Sequence, residues 1–377
     1  MTTTDAVLDR LLDAERLSGL LGRDVRAASV RAKPGALVVL GLAEATTGRP
    51  TGWVRVLWPE LRVKATKVAE RAARRGQELT ELALGELHLQ SGRIGTDPAL
   101  ASVVRDVARR RVRALVDDPA AVLRHNPLRR VLVRDGDTVV RVTAEPDALG
   151  HALLAHLAAA GLPVPAPLDD GSRPQLAVRP FFGDTDLART PTRDGMAWAG
   201  RTLARLHAEG PAVLRAPALA GLADRTAGGE PLRLAADLAR LDPDLGRRAA
   251  RLAGRLAGRP ALGGEPTLVH GDASADQVLL DRGTGRLQLN DFDRAGVGPA
   301  VLDLGSWLAV GPRDAGLDEA LLDGYVDGGG LAPSVSDLYT ARALGLFARV
   351  MAPLREAEPT WRAGVAARLD ALEEVLA

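Results

Sequence analysis

The stretch LVHGDASADQVLLD, residues 268–281, decides how the rest of the chain is read. It sets His270, Gly271 and Asp272 just ahead of a short apolar strand, with Gln277 five residues beyond the aspartate. A loop this polar is costly to hold in place unless its side chains have partners. A second stretch, GRLQLNDFDRAG (285–296), ends another strand at Asp291, where Asp291 and Asp293 flank Phe292. The segments VLL (278–280) and LQL (287–289) are joined by DRGTG (281–285), which predicts a hairpin. A hairpin pins the segment before it beside the segment after it. Asp272, Gln277 and Asp291 are then expected to converge on one volume. Hard cations such as Mg2+ are held by few carboxylates together with substrate phosphate oxygens and water. Phosphoryl transfer needs such a set and one carboxylate to take the proton of the attacking hydroxyl.

Downstream of about residue 184 the apolar spacing is helical, over 194–209, 231–258, 299–310, 316–329, 334–353 and 360–376, with the hairpin inserted among them. Upstream, QLAVRPFFG (175–183) reads as a strand running into a linker. A helix is expected over about 147–160, stopped by Gly161. Residues 26–58 read as three strands, 60–75 as a basic helix and 98–116 as a second helix. The start, MTTTDAVLDRLLDAERLSGLLG, reads as an amphipathic helix. Residues 121–143 repeat the strand pattern: Val30, Arg31 and Pro34 line up with Leu123, Arg124 and Pro127, and VRV at 54–56 with VRV at 140–142. A duplicated meander is one reading; chance matching in a Val- and Arg-rich chain is the other. The order predicts an α+β chain, with a small sheet lobe and a larger helical lobe. The expected divisions are an N-terminal α/β module at 1–116, a sheet lobe at 117–183 and a helical lobe at 184–377.

Composition limits the function classes. The chain has 377 residues, 46% of them hydrophobic, and carries a net charge of +1. No apolar run approaches the roughly 18 residues of a membrane span. The balanced charge and 3% aromatic content offer neither a basic field nor a stacking platform, so nucleic acid is not expected as a partner. Cysteine is absent, which excludes disulfides and thiolate chemistry, and the six histidines form no metal-ligand spacing. With no signal-peptide pattern at the start, a cytoplasmic location is expected. The only lysines are Lys33, Lys64 and Lys67, so all later positive side chains are arginine or histidine.

HGDASADQVLL (270–280) followed by LNDFDRAGVGPAVLDLGSWLA (289–309) resembles the catalytic and metal-binding motifs of the aminoglycoside phosphotransferase and choline kinase-like family, relatives of the protein kinases. LARLHAEG (203–210) resembles the helix ahead of that family's catalytic loop, and AAAGLPVPAPL (158–168) the stretch after its N-lobe helix. The resemblance covers roughly 118–377. The Gln-containing loop and an N-terminal extension are similar to the maltokinase branch. The resemblance implies a bilobal protein-kinase-like fold using ATP and Mg2+. It makes Asp272 the catalytic aspartate, and Gln277 and Asp291 the metal ligands. His270 and Asp303 would brace the loop, and Asp293 would be structural or substrate-facing. The linker Arg179, Pro180, Phe181 and Phe182 would offer backbone groups to adenine.

The chain departs from the family at the phosphates. Where the family has a lysine on the third N-lobe strand, DTVVRVTAE (137–145) has Arg141, and Gly150 or His151 stands where its helix carries a glutamate. No Gly-rich loop is present. RHNPLRR (124–130) occupies its place and could bring Arg124, Arg129 or Arg130 over the phosphates. The leading expectation is a kinase for a hydroxyl of a small molecule such as an aminoglycoside, amino alcohol or sugar. A Ser/Thr peptide kinase of a lanthipeptide-type natural-product pathway and a pseudokinase scaffold are the alternatives. The N-terminal module could shape substrate access or bind a protein partner. The acids of the helical region (Asp237, Asp242, Asp244; then Asp314, Asp318, Glu319, Asp323) form no concentrated patch, which disfavours polycationic aminoglycosides.

Overall fold

A computed structural model of the chain describes residues 3–106, 110–169, 171–225, 230–311 and 314–377. The expected first helix is two: α1 (Thr4–Leu11) and α2 (Ala14–Leu21). The break falls at Asp13, whose side chain caps α2 by accepting from the Arg16 N–H, and Gly22 closes α2 at φ 64°. Strands β1 (Val25–Lys33), β2 (Leu37–Glu44) and β3 (Pro50–Leu57) follow as an antiparallel meander, as read, then α3 (Arg62–Ala73). A hairpin not foreseen comes next, β4 (Thr80–Leu84) and β5 (Leu87–Arg93), completing a sheet of order β1-β2-β3-β5-β4. In place of one helix over 98–116 stand α4 (Leu100–Asp106) and α5 (Arg110–Val116); 107–109 lie outside the described residues.

A second sheet follows. It comprises β6 (Val122–Asn126), β7 (Arg130–Asp135), β8 (Thr138–Thr143), then α6 (Ala148–Ala159) and β9 (Leu176–Pro180), in the order β6-β7-β8-β9. Its path is that of the first sheet: a meander, a helix, and a return strand antiparallel to the third. The sequence alternates, and a strand shows successive side chains to opposite faces. Val131, Val133, Val140 and Val142 take one face and bury against Val103 and Val104 of α4 and Val112 and Val116 of α5. Register places Arg141 opposite Leu132 and Ala177, Arg130 opposite Thr143, Arg124 opposite Leu132 and Arg179 opposite Val139. The other face is therefore an arginine face, with Arg124, Arg130, Arg134, Arg141 and Arg179 on it.

The helical lobe runs β10 (Thr185–Asp186), α7 (Arg193–Ala208), α8 (Gly210–Arg215), β11 (Ala223–Asp224), α9 (Glu230–Ala239), α10 (Pro243–Ala257), β12 (Pro266–Val269), β13 (Val278–Asp281), β14 (Arg286–Leu289) and β15 (Gly296–Pro299). It ends with α11 (Val301–Val310), α12 (Ala315–Asp327), α13 (Val335–Ala348), α14 (Ala352–Arg355) and α15 (Trp361–Leu376). The expected helix 231–258 is broken where Asp242 caps α10 and Pro243 takes its first position. The expected 334–353 likewise divides into α13 and α14. The hairpin is as read: β13 pairs with β14, Val278 opposite Leu289. Antiparallel β12–β15 pairing sets Val269 opposite Gly296, which brings the start of one acidic loop to the end of the other.

The N-terminal module is fused to this lobe by a common core. Leu8, Leu11 and Leu17 of α1 and α2 and Leu40 and Leu42 of β2 share one apolar cluster with Leu238, Leu252, Phe347, Trp361 and Leu369. Each such fully buried side chain is worth about 1.5–3 kcal/mol relative to exposure. Arg362 of α15 adds ion pairs to Asp9 of α1 (2.6 Å) and Asp242 (3.4 Å). The module also meets the second sheet through a buried contact, His125 Nε2 to Asp97 Oδ2 at 3.1 Å.

Candidate active site

Strand β12 delivers the chain into the His270–Gly271–Asp272 loop, and Asp303 in the first turn of α11 receives it. The buried Asp303 carboxylate accepts the His270 N–H (2.6 Å) and the Gly271 N–H (2.8 Å). It also bonds His207 Nε2 of α7 at 3.0 Å, and His207 Nδ1 meets the Tyr325 hydroxyl at 2.9 Å. Burial alone would push the Asp303 carboxyl up, but the His207 bond and the nearby histidines overcome it and hold it below the ordinary value. Burial, with Asp303 beside it, pushes the Tyr325 phenol up to about 12, so it remains a neutral hydroxyl in this network. Gly271 is required by geometry: at φ 74° a Cβ would lie 2.1 Å from the Arg294 carbonyl oxygen. His270 Nε2 donates to the Asn290 carbonyl (2.8 Å) and its ring leans on Phe292, so it ties the first acidic loop to the second.

Asp272 leaves this scaffold with its side chain 29% exposed. Its Oδ1 accepts from Arg349 Nη2 at 2.6 Å, and Arg294 Nε lies 3.6 Å from Oδ2. Arg349 also donates to Ser306 Oγ (3.0 Å), whose hydroxyl donates to the Ala273 carbonyl (2.9 Å). Asp272 is therefore aimed by a helix terminus 77 positions away. Gln277 and Asn290 close the base of the hairpin through a backbone bond of 2.8 Å, which sets Gln277 beside Asp291 along the chain path. The Gln277 amide nitrogen donates to Asp276 (2.9 Å), which leaves its carbonyl oxygen as the atom able to ligate. Among the described residues no group of three or more His, Asp or Glu side chains is arranged to hold a metal by itself.

Asp291 sits between β14 and a short turn at φ 58°, ψ 64°. A non-glycine residue there is strained by about 1–3 kcal/mol, and such strain gathers at functional sites. Its carboxylate lies 3.8 Å from Arg130 Nη2. Asp293 is ion-paired to both Arg130 and Arg141, the latter at 2.5 Å, so it bridges the sheet lobe to the helical lobe. Arg141 also lies 3.4 Å from Asp147. The arginine face thus looks onto the Asp291–Asp293 turn. Burial pushes the Arg130 guanidinium down to about 10 against the pull of Asp291, and lowers Arg141 and Arg179 in the same sense. The Arg179 side chain makes no hydrogen bond or ion pair among the described residues, and the buried Nε of each of these three arginines lacks a partner.

The linker is less open than expected. The Phe181 N–H donates to the Asp137 carbonyl (2.8 Å), and Pro180 has no N–H to offer. Arg134 stacks on Phe181 at 3.8 Å and Arg286 approaches Phe182 at 5.8 Å. Sequence reasoning missed His207, Tyr325 and Arg349. The signal for His207 was a histidine in the helix LARLHAEG; nothing local marks Arg349.

Residues 119–344 match the phosphotransferase enzyme family, APH, which is more than half of the chain. The chain belongs to this family. Among solved structures, a choline/ethanolamine kinase family protein from Mesorhizobium loti is 20% identical, with 74% of this chain and 94% of that one covered and a TM-score of 0.50. A thermostable mutant of aminoglycoside phosphotransferase APH(4)-Ia is 18% identical, with 67% and 93% covered and a TM-score of 0.50. These likenesses carry the fold: a sheet lobe over a helical lobe, as the resemblance implied. No curated protein matches the chain. The phosphotransferase keeps an arginine where its family was expected to carry lysine. No helix among the described residues is long and apolar enough to cross a membrane.

Proposed function

We propose that this phosphotransferase transfers the terminal phosphoryl group of ATP, with Mg2+, to a hydroxyl of a small molecule. The carrying observation is the pairing of two acidic loops, one ending in Asp272 and one in Asp291, bolted together by His270 and Asp303 beneath an arginine face. The donor set fits the absent groups. One carboxylate and one amide oxygen suit a hard cation whose remaining sites are filled by phosphate oxygens and water. Arginines with unpartnered buried nitrogens suit a polyphosphate. Asp291 and Gln277 would hold the ion, which when bound neutralises phosphate charge.

The protein's own residues supply the rest. Arg130, Arg141 and Arg179 grip phosphate oxygens in place of a lysine; a planar guanidinium binds them two at a time. Binding exchanges partners: Arg130 and Arg141 leave Asp293 for phosphate. Asp272, fixed by Arg349, accepts the proton of the acceptor hydroxyl as the oxygen attacks. Asp303 and His207 hold the loop so that this carboxylate is placed before substrate arrives. The test is a thermal-shift titration with Mg·ATP, followed by phosphoryl transfer assays on hydroxyl compounds. Stabilisation by Mg·ATP that is lost in Asp291→Ala, together with turnover, is expected. Absence of any nucleotide effect would leave a scaffold protein instead.

A further inference from the structure

The positive charge around Asp272 exceeds what the site itself neutralises, and resting on the kinase reading above, the geometry points to an acceptor that carries its own anionic group, a carboxylate or phosphate, bound by Arg294, Arg349 and Arg355. Arg349 and Arg294 approach the two oxygens of Asp272 at 2.6 and 3.6 Å. Arg355, at the end of α14, is electrostatically coupled to the same carboxylate and to Arg294, and its side chain makes no hydrogen bond or ion pair among the described residues. Arg368 of α15 adds a fourth, weaker positive charge to the field at Arg349. The other acids nearby are already engaged. Asp276 accepts from Ser274 (2.5 Å) and Gln277 (2.9 Å), and Glu230 is bonded to Arg233 (2.5 Å). One half-exposed aspartate is thus set against several arginines. Burial lowers Arg349 and Arg355, and their arginine neighbours lower them further, which is the condition an incoming anion relieves.

A cationic acceptor, by contrast, would have to approach Asp272 through this field. The same cluster could instead face the transferred phosphoryl group, so the experiment separates the two. The full chain is saturated with Mg·AMP-PNP and titrated by calorimetry with D-gluconate and glycerol 3-phosphate as anionic hydroxyl compounds, maltose as neutral, and choline and kanamycin as cationic. The anionic probes are expected to bind. Their affinity should fall by about tenfold or more in Arg355→Glu and in Arg294→Glu, with Mg·AMP-PNP affinity changing by less than about twofold. The inference is overturned if no anionic probe binds, if choline or kanamycin binds as tightly, or if charge reversal leaves anion binding unchanged. It is also overturned if the variants lose nucleotide affinity instead. Failure of Mg·AMP-PNP to bind the wild-type chain is a separate result, and defeats the kinase reading itself.

Discussion

Asp272 carries the sharpest prediction at the scale of one residue. Asp272→Asn keeps the shape and the bond to Arg349 but cannot take a proton. Its kcat should fall by about 10²–10⁴ while Mg·ATP binding stays near wild type, read by steady-state kinetics and a nucleotide titration. Asp303 predicts a pH effect. Its carboxyl is held below 3.8 in the folded chain, so its stabilisation is complete above that value and is lost as pH falls through the lower native one. Asp303→Asn should destabilise by about 3–5 kcal/mol near neutrality, because His207 and the loop amides lose a buried anion. Its acid-side loss of Tm should also be shallower than wild type, as seen in melts across pH.

Single elements show what a linear sequence can and cannot disclose. The alternation RVLVRDGDTVVRVT over 130–143 was visible as strand, and with register it becomes an apolar face and an arginine face. Arg141 was legible as a strand residue because it sits in that pattern. Arg130 was one of several arginines in RHNPLRR, and only register and the turn at Asp291 single it out. The hairpin of β13 and β14 was legible because its turn is strong. The β4–β5 hairpin was missed although Leu82, Leu84, Leu87 and Leu89 alternate around Gly85, since the run is short and half polar. The break at Asp242–Pro243 had its signal in the proline, overridden by apolar spacing on both sides. Arg349 could not be read at all: its contact depends on how α13 packs, not on its neighbours in the chain. If the arginine face holds the phosphates, Arg130→Ala and Arg141→Ala should each weaken Mg·ATP binding by about 1.5–3 kcal/mol in a calorimetric titration. Arg141→Lys should recover only part of that, since one ammonium cannot replace a bidentate fork.

Across the whole molecule, the N-terminal module is part of the helical lobe's core rather than an appendage. The sequence suggested a cap or partner platform, and in the fold the module shares one apolar cluster with the helical lobe, with β1 packed against α14 and α1 ion-paired to α15. Leu8→Ala is expected to cost about 2–5 kcal/mol, the range for emptying a closed core site. Its thermal melt should stay a single transition, because the cluster it belongs to joins both ends of the chain. Phe347, Val350 and Met351 of the shared core flank Arg349 in sequence. Loosening the module should therefore also reduce transfer, measured as kcat in Leu8→Ala at a temperature where the fold persists.

All the lysines precede the second sheet, and the cleft proposed for the nucleotide is built with none. Amine-seeking reagents, such as active esters or aldehydes that form imines, have no nucleophile to capture there and should leave turnover intact. Dicarbonyls that condense with guanidines should silence the same cleft, and a bound nucleotide should shield it.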